Sequence, residues 1–197
     1  MRGTREVVLV DLAGREIGLA DLGQAHRGVG QLHRAFTAVL FDAQGRVLLA
    51  QRASSKPLWP GWWDATVASH PRQGEAVLVA GERRLQEELG VEAQLIDLGT
   101  FNYFAPFGGA GSERESCSAL FGWLSPGQEP NPHPEEIAGV LSVELERLFE
   151  DSSLDLCPWA WLAFELALRS SDPRLAPVAN YRNAIELRLH KADFERL

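Results

Sequence analysis

Cysteine is nearly absent: of 197 residues only Cys117 and Cys157 carry a thiol. They form no C-x-x-C pair, so neither a disulfide framework nor a structural zinc cluster is indicated, and the thiols are expected to be reduced. Long apolar runs are missing too. Stretches such as Ala38-Val39-Leu40-Phe41 fall far short of the roughly 20 residues of a bilayer span, so no membrane partner is expected. After Met1-Arg2-Gly3-Thr4-Arg5-Glu6, the apolar segment Val7–Val10 is cut off by Asp11. That is too short for a secretory signal, and a cytoplasmic location is expected. Positive charge is in deficit, with 19 Lys+Arg against 27 Asp+Glu and a formal net charge of −8. This argues against a nucleic-acid partner, and an anionic ligand would need local cations or metals.

What remains is ordinary globular material, 45% hydrophobic and 23% charged, enough for a packed interior. The length suits one domain over 1–197. Strands are predicted at 6–11, 34–42 and 47–50, the last two joined by Ala43-Gln44-Gly45-Arg46 as a hairpin. Leu78, Leu85 and Leu89 give a helical stripe from Glu75 to Leu89, closed by Gly90 as a C-cap. Gly81 inside that helix costs about 1 kcal/mol relative to Ala, which predicts close packing against a neighbour. Further strands are expected at 93–104 and 114–124, with a loop from Ala105 to Gly111 between them. Beyond the Pro-rich stretch Pro126 to Pro134, helices are expected at 144–150, 158–170 and 180–195, the last in a helical C-terminal extension at about 173–197. This order predicts an α/β (α+β) sandwich with a mixed β-sheet between helices.

The most informative segment runs from Ser69-His70-Pro71-Arg72-Gln73-Gly74-Glu75 through Arg83-Arg84-Leu85-Gln86-Glu87-Glu88-Leu89-Gly90-Val91. Residues 84, 87 and 88 share one helix face, where they could converge on a metal-bound diphosphate or simply form a solvated salt-bridge face. The segment resembles the Nudix box, with Ser69 in place of its opening Gly and Arg84 in place of the first Glu of its acidic cluster. A Nudix fold over 1–197 is the implied architecture. With Gln31-Leu32-His33-Arg34-Ala35-Phe36, Arg52-Ala53-Ser54-Ser55-Lys56, Leu58-Trp59-Pro60-Gly61-Trp62-Trp63 and Pro158-Trp159-Ala160, the chain resembles type I isopentenyl diphosphate isomerases over about residues 5–170. In that family Arg84 is expected.

The resemblance implies a metal site of His26, His33, His70, Glu113 and Glu115. Glu113 and Glu115 are two apart at the start of a predicted strand, so both can face the same side. Three imidazoles and two carboxylates suit Mn²⁺ or Zn²⁺. Taken alone, His26 and His33 would read as loop histidines, and His133 and His190 are left structural. The resemblance also places Arg52, Lys56, Arg84 and Ser69 against a small-molecule prenyl diphosphate, and Glu88 with a Mg²⁺ that accompanies it. A family Lys just before the first metal His is missing, and Leu22 lies near its place.

The implied reaction moves a double bond from isopentenyl to dimethylallyl diphosphate, which needs an acid on one side of an alkene and a base on the other. The family's Glu and Tyr correspond to Glu115 and Tyr103, and the indole facing the cation to Trp159. At the family's Cys position stands Ala68, which cannot transfer a proton. Ser69, Thr66 and Cys117 are the nearby side chains weighed as substitutes. Three readings stay open: an isomerase, a Nudix hydrolase of a small diphosphate or nucleotide, and a non-catalytic diphosphate-binding protein.

Overall fold

A strand covered on both faces needs apolar side chains at successive positions. Strand β3 (His33–Phe41) meets this need, with Ala35, Phe36, Ala38, Val39, Leu40 and Phe41 all buried. The structure, a computed structural model, describes residues 5–151 and 153–197; Met1 to Thr4 of the sequence reading lie outside the described residues. Along β3 the side chains of Ala35, Val39 and Phe41 enter one core, and those of Phe36, Ala38 and Leu40 enter another.

β3 pairs in parallel with β8 (Gly111–Leu124), and antiparallel with β4 (Val47–Arg52), β6 (Val67–Ser69) and β1 (Glu6–Val10). β8 continues to β7 (Ala93–Phe107) and then β10 (Glu195–Arg196), while β1 continues to β2 (Glu16–Asp21). β4 also holds β5 (Trp63–Asp64) and β9 (Ile137–Val143). The parallel β3–β8 pairing among antiparallel ones makes the sheet mixed.

Helix α2 (Val77–Leu89) covers one face through Ala80, Leu85 and Leu89. Its buried stripe includes Gly81 in place of the expected Leu78, which is 36% exposed. A Cβ on Gly81 would lie 2.6 Å from Leu95 Cδ1 and 2.7 Å from Leu120 Cδ1, so the helix is pressed against the sheet as its glycine predicted. After the short helix α3 (Leu145–Glu150), α4 (Pro158–Ala167), apolar almost all round, is sunk on the other face between the sheet and α5 (Arg182–Lys191). This is the expected α+β sandwich. Among the described residues no helix is long and apolar enough to cross a membrane.

Two expectations need correction. The predicted loop from Ala105 to Gly111 is mostly strand: β7 runs on to Phe107 and β8 begins at Gly111, leaving a tight turn in which Ala110 N donates to Phe107 O at 3.1 Å. Pro106 is tolerated because it lies beyond β10, on the sheet edge, where a missing N–H costs no ladder bond. The helix expected at 180–195 instead begins with a 3₁₀ run at Pro173–Tyr181 and ends at Lys191, after which Glu195 and Arg196 pair with Phe104 and Tyr103. The open edge of β7 draws the last residues into the sheet. Strands β2, β5, β6 and β9 have no strong periodic signal and were not anticipated.

Candidate functional site

Four elements bring the predicted metal ligands together. Parallel register sets His33, at the start of β3, opposite Glu115 on β8, and Glu113 two residues earlier faces the same side. His70 follows β6, and His26 follows the short helix α1 (Leu22–Ala25), capped by the Asp21 side chain. The His26 segment crosses directly over β8: a Cβ on Gly111 would come within 2.4 Å of His26 O, so glycine is required there.

The three imidazoles point Nε2 inward, with 3.2 Å between His26 and His33 and 3.1 Å between His33 and His70. Glu115 Oε1 lies 3.1 Å from His70 Nε2, and Glu113 Oε2 lies 3.0 Å from His26 Nε2. His33 Nδ1 donates to Gln31 O at 2.7 Å, which leaves its Nε2 as the lone-pair side. Donor atoms of His26, His33, His70 and Glu115 all fall within 4.8 Å of one another. Glu113 Oε2, although close to His26, makes no hydrogen bond and is buried. Lone pairs this close repel unless a cation lies between them, and a nitrogen and carboxylate donor set fits a borderline divalent ion.

The electrostatics suit the same role. Burial holds His70 below its usual value against the pull of Glu115, so its lone pair is free. Glu115 is buried, yet His33 and His70 hold its carboxyl well below the carboxylate range. Burial would lower His26, but Glu113 and Glu115 outweigh it and raise the imidazole.

Glu115 looks both ways. Its Oε2 accepts the Tyr103 hydroxyl at 2.7 Å, and burial, with Glu115 and Glu113, pushes that phenol well up, so it stays a donor. Both residues line a cavity of ≈ 700 Å³ whose walls also carry Ala68, Ser69, His70 and Trp159. The indole of Trp159 stands edge-on to Trp59 at 5.1 Å and donates to Asp64 Oδ1 at 2.7 Å.

Arg52, Lys56 and Arg84 border the same cavity. Arg52 is largely committed: Nε and Nη2 donate to Leu58 O at 3.2 and 2.9 Å, and Nη1 to Asp64 Oδ2 at 3.0 Å. Lys56 and Arg84 both face Glu136, whose carboxyl they and Arg5 hold at about 2 despite its burial. Glu88 stands apart from the His cluster and bonds Arg84; burial raises its carboxyl, with Arg84 and Lys56 opposing. Glu75 and Arg83 form a two-pronged pair at 2.7 and 2.8 Å, and Glu75 also accepts from Arg72 N, which pins the segment after His70 onto α2.

Two of the substitute proton carriers are removed by their positions. Cys117 is 1% exposed inside the core, its thiol pushed well up by burial, and it does not border the cavity. Thr66 Oγ1 accepts from Leu40 N and donates to Leu48 O, so it locks β4 to β3. Ser69 does reach the cavity wall. Sequence reasoning missed Asp64, Arg5 and Glu136. Asp64 had a signal, a lone carboxylate inside the apolar run Trp62 to Val67. Arg5 and Glu136 had none, being ordinary charges in polar surroundings.

A mixed sheet between helical layers, the Glu75–Arg83 clasp on α2 and a His/Glu cluster that could hold a metal define a NUDIX-type protein. The NUDIX domain family matches residues 31–165. Among solved structures, one from Deinococcus radiodurans superposes with a TM-score of 0.63 at 22% identity, covering 82% of this chain and 99% of that one. A MutT protein from Methanosarcina mazei Go1 gives 0.54 at 16%, covering 81% and 94%; both likenesses concern the fold. An isopentenyl-diphosphate Delta-isomerase of Haloarcula marismortui is 45% identical over 178 residues, covering 86% of this chain and 92% of its own length. One of Nocardia farcinica is 41% identical over 165 residues, covering 82% and 93%. The chain belongs to the isopentenyl-diphosphate Delta-isomerase family within the NUDIX superfamily.

Proposed function

We propose that this protein acts on short prenyl diphosphates and interconverts isopentenyl and dimethylallyl diphosphate by proton transfer. The observation that carries this reading is the Tyr103–Glu115 pair, backed by the His cluster and lining the same cavity as the Trp159 indole. Protonation of the terminal alkene carbon forms a C–H bond and leaves a tertiary carbocation; loss of a proton from C2 then sets the internal double bond. Tyr103 and Glu115 can hold the incoming proton between them, and an aromatic face stabilises a desolvated cation by about 2 kcal/mol or more. The donor set suits Mn²⁺ or Zn²⁺, and an ion bound there would keep Glu115 oriented and lower its basicity. Arg84, Lys56, Ser69 and any free donor of Arg52 would receive the diphosphate, with Glu88 placed to share a Mg²⁺ that arrives with it. Two unpaired thiols, Cys117 and Cys157, fit a cytoplasmic location.

Ala68 favours a second reading, binding of diphosphates without turnover, because the side chain at that position cannot carry a proton. The experiment that separates them is incubation with isopentenyl diphosphate in D₂O, followed by proton and phosphorus NMR. Deuterium incorporation and the allylic product support the isomerase, binding without exchange supports the second reading, and release of phosphate from a nucleotide panel would overturn both.

A further inference from the structure

Arg5, Lys56 and Arg84 come from distant parts of the chain and converge on one carboxylate. Arg5 Nη2 lies 3.0 Å from Glu136 Oε1, Arg84 Nη2 lies 3.6 Å from the same oxygen, and Lys56 Nζ bonds Oε2. All four border the cavity that holds Ala68 and Trp159. The carboxylate is delivered by a fixed backbone, since Glu136 N donates to His133 O and Ala53 N donates to Glu136 O, each at 3.0 Å. Arg84 is also shared with Glu87 and Glu88, yet its buried Nε has no partner. A spot where three cations meet one partly buried carboxylate is suited to oxyanions.

Arg5 has a further relationship. Its carbonyl accepts the N–H of Leu22 at 2.7 Å, so the two residues are direct neighbours where β1 meets the end of β2. Leu22 borders the same cavity and offers it no charge. Arg5 therefore brings a charge to the part of the cavity where Leu22 brings none.

We propose that Arg5 is an additional diphosphate-binding cation of this site and that Glu136 is its resident anion, holding Arg5, Lys56 and Arg84 in place until a phosphate oxygen replaces it. The inference rests on the diphosphate reading above. Glu136 thus competes with substrate for the same cations: removing its charge tightens anion binding, and removing Arg5 loosens it.

The test is calorimetric titration of the full-length protein with inorganic pyrophosphate in the presence of Mg²⁺, alongside thermal melts that verify folding. Arg5→Gln should weaken binding about five- to tenfold, and Glu136→Gln should tighten it by a similar factor. Leu22→Lys added to Arg5→Gln should restore most of the loss, which a merely structural role for Arg5 would not allow. Unchanged affinity in Arg5→Gln, or weaker binding in Glu136→Gln, overturns the inference while leaving the diphosphate reading intact. No pyrophosphate binding by the parent protein overturns that reading and the inference with it.

Discussion

Asp64 Oδ1 accepts the indole N–H of Trp159 at 2.7 Å while its Oδ2 pairs with Arg52 at 3.0 Å, so one buried carboxylate positions both an aromatic wall and a cation. Burial pushes its carboxyl up, and Arg52 and Trp159 oppose that. Removing it leaves the Arg52 charge buried without its partner. Asp64→Ala should cost about 3–5 kcal/mol of stability, the range for breaking a buried pair, and Asp64→Asn less, since the indole keeps an acceptor. Urea denaturation of both variants checks the order.

Ala68→Cys should create or raise isomerase activity. The thiol would enter the cavity that the Tyr103–Glu115 pair also lines, and a positioned acid or base contributes about 10²–10⁴-fold. Deuterium exchange into isopentenyl diphosphate is the measurement, with Ala68→Ser as control. No gain despite intact metal and diphosphate binding would show that the cavity serves other chemistry.

The His26, His33, His70, Glu115 cluster should retain about one divalent transition ion per chain through dialysis, because its converging imidazole lone pairs and its carboxylate suit a cation. Elemental analysis tests this. His26→Ala combined with Glu115→Gln should remove the ion, and unchanged metal content would place it elsewhere.

Acid sensitivity should trace in part to Glu75, which hydrogen bonds from Arg83 hold at about 2 against a free value of 4.5. A carboxyl depressed on folding contributes its full stabilisation above the unfolded value and loses it as pH falls through the folded one. The Tm gap between parent and Glu75→Gln should therefore be widest at neutral pH and close between about pH 4.5 and 2. A gap that stays constant through that window would rule the pair out as a pH-dependent contributor.

Gly81→Ala pits helix propensity against packing. Alanine gains about 1 kcal/mol of propensity, but its Cβ would meet Leu95 and Leu120 methyls at 2.6 and 2.7 Å. Overpacking of this kind costs about 1–3 kcal/mol, so a net loss is expected. Chemical denaturation showing a gain would mean that both leucines can move aside.

Where periodicity was strong, the sequence predicted the element: β3 and α2 are nearly where their apolar patterns put them. The short strands β5 and β6 have too few residues to show a period, and β9 follows a Pro-rich segment that hides its start. The His and Glu residues of the site could be named from the family resemblance, which His33 and His70 help carry through the segments Gln31 to Phe36 and Ser69 to Pro71. The same could not be done for Asp64 or Glu136, whose roles depend on what lies across the fold from them. Arg52 illustrates the limit: its type suggested a phosphate grip, while its actual partners are mostly carbonyls and Asp64.

The parallel pairing of β3 with β8 has a consequence for how the molecule comes into being. His33 and Glu115 become neighbours only when the two strands zip together across the intervening hairpin, α2 and β7. Such long-range pairings close large loops and form late, because chain entropy must be surrendered before the contact rewards it. A nascent chain that has not yet emerged past β8 therefore has three histidines and no metal site. An ion held by this cluster would be captured only after the sheet is complete, and would then act as a clasp that slows the strands from parting again.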